Sequence, residues 1–541
     1  MLAAPLLVLT LVASGCSQAG EGDNAGPSIS TDDDGQVRLD FVNQPPGDPV
    51  SGGSIAFGLS AETDGWDVTA SRWGSSAYIV GNAIFDPLAA FDANLEPQPY
   101  LAESITSNED FTSWTITLRP GVEFHDGTPV DAEAVAANLT AHTTAPLTSP
   151  AVSFIDTVSV VGDLEVQVDM IKPWSTFPYS LTAQIGYVMA PSMLGNPDAS
   201  RSPVGSGPFV FEEWTPGQKF NATRNDNYWR DGLPYLDAVE FQVLPDLQTR
   251  SRAMDAGQIQ GMETNDAGQI LRFAEAAGEG KVQMYSDDSS EVSETFIGLN
   301  VSKPPFDDPI ARQALAYSVD RQALSDQAYE GLFPPAVGPY QPSSRFYVDA
   351  GVPGFDPDKA RELVAEYEAK YGTKLAFTAN IVPVPEIRRV GETLQQQAAD
   401  VGIEVTLDAM DQATLIVRAL TGDYQATGFI LFGQPVLDQE YVFIADFPEG
   451  NPLNFTRNKN PAIVAALDAA RATNDDSERA EAYAEVQRQM ATDGNLVFTV
   501  HNISAVVYAN DVFGIADWTL PSGDAGGRTT TPRLMEAWVS R

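Results

Sequence analysis

Between Lys374 and Met410 the chain reads "KLAFTANIV", then "EIRRVGETLQQQAADVG", then "IEVTLDAM". The first and third segments are short and rich in β-branched and apolar residues, the pattern of buried strands. In the middle segment Ile387, Val390, Leu394, Ala398 and Val401 recur at helical spacing, and Gly402 ends the run. A strand, a one-faced helix and a second strand predict a βαβ unit with a parallel strand pair, which must fold as a right-handed crossover. At least one part of the chain is therefore α/β, with a helix layer on a sheet.

Further helix starts are marked by a capping side chain before proline: Asp308-Pro309, Asp356-Pro357 and Asn460-Pro461. Gly372 closes the segment "DPDKARELVAEYEAKYG". Nearer the start, "SIAFGL" (Ser54–Leu59) reads as a first strand. In "TSWTITLRPGVEF" Trp114, Ile116 and Leu118 share one face, the mark of a half-buried strand. Asp131 is placed to cap a helix from about Ala132 to Ala141, with Ala132, Val135 and Leu139 inward.

Between that strand and that helix lies "HDGTP", where His125 adjoins Asp126. Catalysis would need a nucleophile, and metal binding would need further ligands at suitable spacing. No G-x-S-x-G occurs; of the other histidines, His142 lies at the far end of the helix that follows and His501 in another part of the chain. The pair is expected to build a strand–turn–helix corner. "PVGSGPF" (203–209) leads into a strand and lacks the Gly-Lys-Ser/Thr of a phosphate loop, so it predicts no nucleotide site. With no nucleophile–base set and no metal constellation in view, the chain is not expected to be an enzyme or to carry a cofactor.

A chain of 541 residues is too long for one core. Its 74 acidic and 31 basic residues leave a net charge of -43, a field that repels nucleic acid and anionic headgroups. Cys16, the single cysteine, ends "MLAAPLLVLTLVASGC". That apolar run is short for a membrane span and fits a secretory signal. The small residues before Cys16 resemble a bacterial lipobox, which implies a diacylated cysteine and a membrane anchor. An ordinary signal cleavage site is the alternative. Residues 17–50, rich in Gly, Ser, Pro and Asp, are expected to form a flexible tether.

Three segments in order carry a resemblance. "LAESITSNEDFTSWTITLRPGVEFHDGTPVDAEAVAANL", "PVGSGPFVFEEWTPGQKFNATRNDNYW" and "FIGLNVSKPPFDDPIARQALAYSVDRQAL" resemble the signature segments of the family 5 solute-binding proteins. These are the dipeptide- and oligopeptide-binding components of bacterial ABC importers. The resemblance implies a large two-lobed periplasmic-binding-protein-like α/β fold with a ligand cleft between lobes that close by hinge motion. On it we place lobe I at 51–300 plus 500–541, with an inserted subdomain at about 75–205, and lobe II at 301–499. Chain crossings are expected near 295–300 and 497–502. It also implies an extracytoplasmic, lipid-anchored monomer that captures short peptides and passes them to permease subunits driven by an ATPase. The same fold with a metal chelate, haem or sugar as ligand, or a non-transport envelope lipoprotein, stays open.

In peptide-binding members an aspartate of the second lobe pairs with the ligand's ammonium group. The comparable stretch here, "FILFGQPVLDQEYVF", makes Asp438 the nearest candidate, with a turn-capping role as its alternative. Trp66, Asp67 and Trp73 follow the first strand and are expected to border the cleft or to pack in a core. The acidic excess favours neutral or cationic peptides on approach.

Overall fold

The structure, a computed structural model, describes residues 28–31, 37–286, 293–383, 385–431, 433–444, 451 and 453–540. Cys16 lies outside the described residues.

Two large sheets organise the chain. A nine-stranded sheet takes its strands from Ser28–Thr31, Val37–Phe41, Ser54–Leu59, Phe209–Thr215, Lys219–Arg224, Ala238–Val243, Gly261–Thr264, Val282–Ser286 and Ala505–Ala509. A five-stranded sheet runs in the order Glu404–Ala409, Ala376–Ile381, Ala426–Leu431, Glu294–Leu299, Leu496–His501. The chain leaves the first sheet after Ser286 and enters the second at Glu294; it returns between His501 and Ala505.

The parallel pair read from the sequence is present. Phe377 lies opposite Val405 and Ala379 opposite Leu407, with helix Pro385–Asp400 as the crossover. Asp308, Asp356 and Asn460 cap their helices by accepting the amides of Ile310, Lys359 and Ala462, each at 2.9 Å. Gly372 and Gly402 take φ of 68° and 95°, the left-handed region that suits glycine at a helix stop.

A four-stranded antiparallel sheet (Ala102–Ser107, Ser113–Leu118, Glu165–Met170, Ile155–Gly162) and helix Ala132–Thr144 form a separate body. Its core runs from Leu88 to Ala190 and includes Trp114, Ile116, Val135 and Leu139. Helix Ser75–Ile84 packs instead in the core of the nine-stranded sheet, beside Phe57 and Phe209. The inserted body is thus narrower at its start than 75–205.

The tether reading also needs correction. Val37–Phe41 joins the nine-stranded sheet, pairing Phe41 with Met284, and Leu39 and Phe41 are buried. In "VRLDF" the alternation Leu39/Phe41 is a strand signal that the surrounding Asp, Gly and Pro residues masked. Two apolar side chains on one face hold this strand, which lies between Ser28–Thr31 and Val282–Ser286 in the sheet.

The glycines of "PVGSGPF" have a steric explanation. A Cβ on Gly205 would stand 2.1 Å from the Ile84 carbonyl oxygen, and one on Gly207 2.6 Å from the Ile84 carbonyl carbon. The amide of Gly207 bonds that oxygen at 2.9 Å. The loop therefore lies against the end of helix Ser75–Ile84, and only glycine permits the approach. His125 closes the same corner, its Nε2 2.9 Å from the Gly207 carbonyl. Asp126 accepts from the Thr128 amide and hydroxyl at 3.1 and 2.6 Å. The corner is built as a turn.

Candidate ligand-binding cleft

Between the two large sheets lies a cavity of ≈ 540 Å³. Helix Ser75–Ile84 brings Tyr78 and Asn82 to it, and Trp73 precedes that helix. Phe91, Thr182 and Tyr187 come from the inserted body and its approaches, Ile430 and Gln434 from the five-stranded side. Ser293 and Asn502 stand in the two chain crossings. A further wall is the C-terminal segment "GGRTTTPR", which supplies Gly527, Thr529, Thr530, Thr531 and Arg533, with Trp518 beside it.

A second hollow of ≈ 360 Å³ lies within the five-stranded lobe, lined mainly by aliphatic residues such as Ile381, Val390 and Leu415. A ligand there would not bridge the lobes, so it could not report closure. The interlobe cavity is the candidate site.

Its walls are fixed by hydrogen bonds. Tyr187 donates to Asn82 Oδ1 at 2.6 Å, Asn82 Nδ2 donates to the Thr531 carbonyl at 3.0 Å, and Tyr285 donates to the Thr529 carbonyl at 3.0 Å. Thr295 donates to Asn502 Oδ1 at 2.8 Å, and the Asn502 side chain donates to the Ser293 carbonyl at 2.8 Å. The last pair joins the two crossings to each other.

Among the described lining residues there is no aspartate or glutamate, and Arg533 is the one charged side chain. Its guanidinium lies 5.0 Å from the ring centre of Tyr100 and 5.2 Å from that of Trp518. Arg533 also bears on Asp86, a buried carboxyl that accepts from Trp229 Nε1 at 2.8 Å, Tyr228 Oη at 3.1 Å and Ser206 Oγ at 3.2 Å. Burial pushes Asp86 up to about 6, against the pull of Trp229 and of the Arg533 charge.

Of the residues singled out from sequence, Trp73 lines the cavity, edge-on to Tyr78 and Tyr187. Trp66 does not: it is a buried core residue packed on Phe220 at 4.9 Å and Trp214 at 5.8 Å. Asp67 closes a local turn, accepting the Thr69 amide and hydroxyl at 2.8 and 2.7 Å. Asp438 is also away from the cavity. Its enclosed carboxylate accepts from Thr176 and Tyr483, with Arg471 Nε 3.5 Å away. Thr176 belongs to the inserted body, so that body covers Asp438 and uses it as a joint. Around this joint the two sides also meet through Arg345–Glu96 at 2.5 Å, Lys172–Asp468 at 2.8 Å and Ser180–Gln439 at 2.9 Å.

Arg533, Asp86 and Asn502 escaped the sequence reading. The signal that was available is "GGRTTTPR" itself: three hydroxyls and two cations in a glycine-introduced run, near the end of a chain poor in cations.

Known proteins place this geometry. The family model for bacterial extracellular solute-binding proteins, family 5 Middle, matches residues 96–451. The glutathione-binding protein GsiB of Salmonella paratyphi A is 28% identical over 423 residues, 75% of this chain and 81% of the relative. The protein AgaA of A. tumefaciens R10, solved with agropinic acid, superposes with a TM-score of 0.79 at 25% identity, covering 90% of this chain and 99% of that one. The oligopeptide-binding protein AppA of Bacillus subtilis, solved with a nonapeptide, shares the fold with a TM-score of 0.77 at 22% identity, covering 91% of this chain and all (100%) of that one.

Proposed function

The chain belongs to the bacterial extracellular solute-binding proteins of family 5, and from that membership we propose that it captures short peptides and hands them to the permease of an ABC importer. The interlobe cavity carries this reading. At ≈ 540 Å³ it lies within the range of small-molecule sites and suits a di- or tripeptide better than a long chain. Its walls come from both lobes and from both crossings, so a bound ligand holds the lobes together and marks the loaded form for a permease. The abundant hydroxyl and amide groups of Ser75, Asn82, Thr531, Gln434 and Asn502 suit a peptide backbone. Glutathione, a tripeptide bound by the GsiB relatives, is the first compound to try.

The reading includes a membrane anchor at Cys16 and a monomeric working state. No helix among the described residues is long and apolar enough to cross a membrane.

Titration calorimetry of the purified protein, freed of co-purified ligand, against dipeptides, tripeptides, glutathione, an opine and a sugar tests the function. Micromolar or tighter binding of at least one peptide is expected, about -8 kcal/mol or more favourable. Heat from the sugar or opine alone, with all peptides silent, would remove the peptide assignment.

A further inference from the structure

We infer that this cleft selects anionic ligands, taking a ligand carboxylate on Arg533 and offering no counter-charge to a ligand ammonium group. The inference rests on the solute-binding reading above and sharpens its substrate class.

Arg533 is 7% exposed, so its charge is largely removed from water, yet it lines the cavity. The guanidinium lies over the rings of Tyr100 and Trp518, which hold it by cation–π attraction. Arg533 also interacts with the Tyr187 hydroxyl; a guanidinium carries five N–H donors, and two of them match the two oxygens of a carboxylate. No described residue forms an ion pair with it. Asp86, the carboxyl whose charge it feels, already accepts three hydrogen bonds from Ser206, Tyr228 and Trp229. Asp86 therefore offsets the buried guanidinium charge only in part, and a ligand carboxylate in the low-dielectric cleft is the group that completes its compensation.

The other half of the inference concerns amines. The described lining holds no acid; Asp67 and Asp438, the two acids expected at the cleft, are committed elsewhere, and Asp86 is buried and engaged by Ser206, Tyr228 and Trp229. An ammonium group would meet only hydroxyls, amides and rings. The net charge of -43 attracts cations towards the surface, but its reach at physiological salt is about 8 Å. Selection inside the cleft is therefore local, and Arg533 sets its sign. Added salt should quicken the association of an anionic ligand, because it screens a repulsive approach.

The test compares glutathione, its diethyl ester, gluconate and trilysine on the wild-type protein, Arg533→Lys and Arg533→Gln, by titration calorimetry with melting temperature as a control of folding. The wild-type protein should bind the ester at least thirtyfold more weakly than the acid, and trilysine not at all. Arg533→Gln should lose at least thirtyfold towards the acid while staying within threefold of wild type for the ester; Arg533→Lys should fall between. If Arg533→Gln does not fold, the acid–ester comparison on wild type still decides. Equal binding of acid and ester, or binding of trilysine, overturns the inference and leaves the peptide reading standing. Gluconate binding that depends on Arg533, with both peptides silent, removes the peptide reading alone. Silence from both carboxylates counts against both.

Discussion

Glu294 and His501 face each other in register on the two strands through which the chain passes between its sheets, with His501 Nδ1 2.8 Å from Glu294 Oε1. Both side chains are buried, and burial drives His501 down to about 3. His142, fully enclosed beside the Thr148 hydroxyl at 3.0 Å, is driven down to about 4 for the same reason. Folded-state values below the ordinary 6.5 mean that the unfolded chain binds more protons between about pH 4 and 6.5. These histidines therefore contribute fully above pH 6.5 and lose their contribution as pH falls through that window. Each should cost about 2 kcal/mol of stability at pH 5. Asp86, raised to about 6, and Glu440, raised to about 7 by burial, titrate with the opposite sign. The clean measurement is thus a difference. Between pH 7.5 and 5, urea melts of His142→Gln should lose about 2 kcal/mol less than wild type; parallel losses would refute the assignment.

The joint at Asp438 makes a separate prediction. Asp438→Asn keeps the shape but takes the negative charge from beside Arg471, in a place where both side chains are nearly inaccessible. Breaking such a pair costs about 3 kcal/mol. Because Thr176 brings the inserted body to this carboxylate, the variant should also weaken every ligand by the same factor, through the closed form. Dissociation constants for two chemically unlike ligands settle the point. A loss confined to ligands with a free amine would show direct contact instead.

Gly205→Ala should be costly, because its Cβ would collide with the Ile84 carbonyl at 2.1 Å and Phe85 at 2.6 Å. Overpacking against backbone is worth about 3 kcal/mol, and it should tilt the helix that carries Tyr78 and Asn82. Gly217→Ala is the control: its φ is 74° but nothing stands within 4 Å, so about 1 kcal/mol of backbone strain is expected. Equal losses from the two would refute the close-approach account.

What was legible in the sequence was local. Periodicity gave the parallel unit around Phe377 and Val405, and capping chemistry gave the starts at Asp308, Asp356 and Asn460, because each depends on a few consecutive residues. The His125 corner was legible for the same reason. The cleft was not. Asn82 meets Thr531, a separation of 449 positions, and Arg533 faces Asp86 from the other end of the chain. No spacing rule encodes such a contact. Trp66 and Trp73 show the limit most simply: seven positions apart and ring to ring at 6.1 Å, one is core and the other is wall.

The proposed anchor is tested at Cys16. Its thiol is the acceptor for lipid, and two acyl chains bury enough methylene groups, at about 0.8 kcal/mol each, to hold a protein on a bilayer. Cys16→Ser in a native host should shift the protein from the membrane to the soluble fraction or leave an unprocessed precursor of lower mobility. Unchanged partitioning and unchanged mobility would remove the anchor.

Ligand binding itself should depend on pH through Asp86. That carboxyl is faced by Tyr100, Tyr187, Tyr228 and Arg533; burial holds the three tyrosines above their ordinary value near 10, and Asp86 is the group raised into the range between pH 5 and 7. At pH 7 it is mostly ionised and partly neutralises the Arg533 field. A carboxylate arriving at Arg533 brings a second negative charge close to it, which raises Asp86 further and draws in a proton. Binding coupled to proton uptake strengthens as pH falls, so affinity for a carboxylate ligand should rise threefold to tenfold between pH 7 and 5.5. The ligand's own carboxylate, with an ordinary value near 4, stays ionised across that range. Asp86→Asn should bind more tightly than wild type at pH 7 and show a flat profile. Calorimetry in two buffers of different ionisation enthalpy measures the proton directly: about half a proton taken up per ligand near pH 6 is expected. Proton release, or a slope that survives Asp86→Asn, would place the titrating group elsewhere.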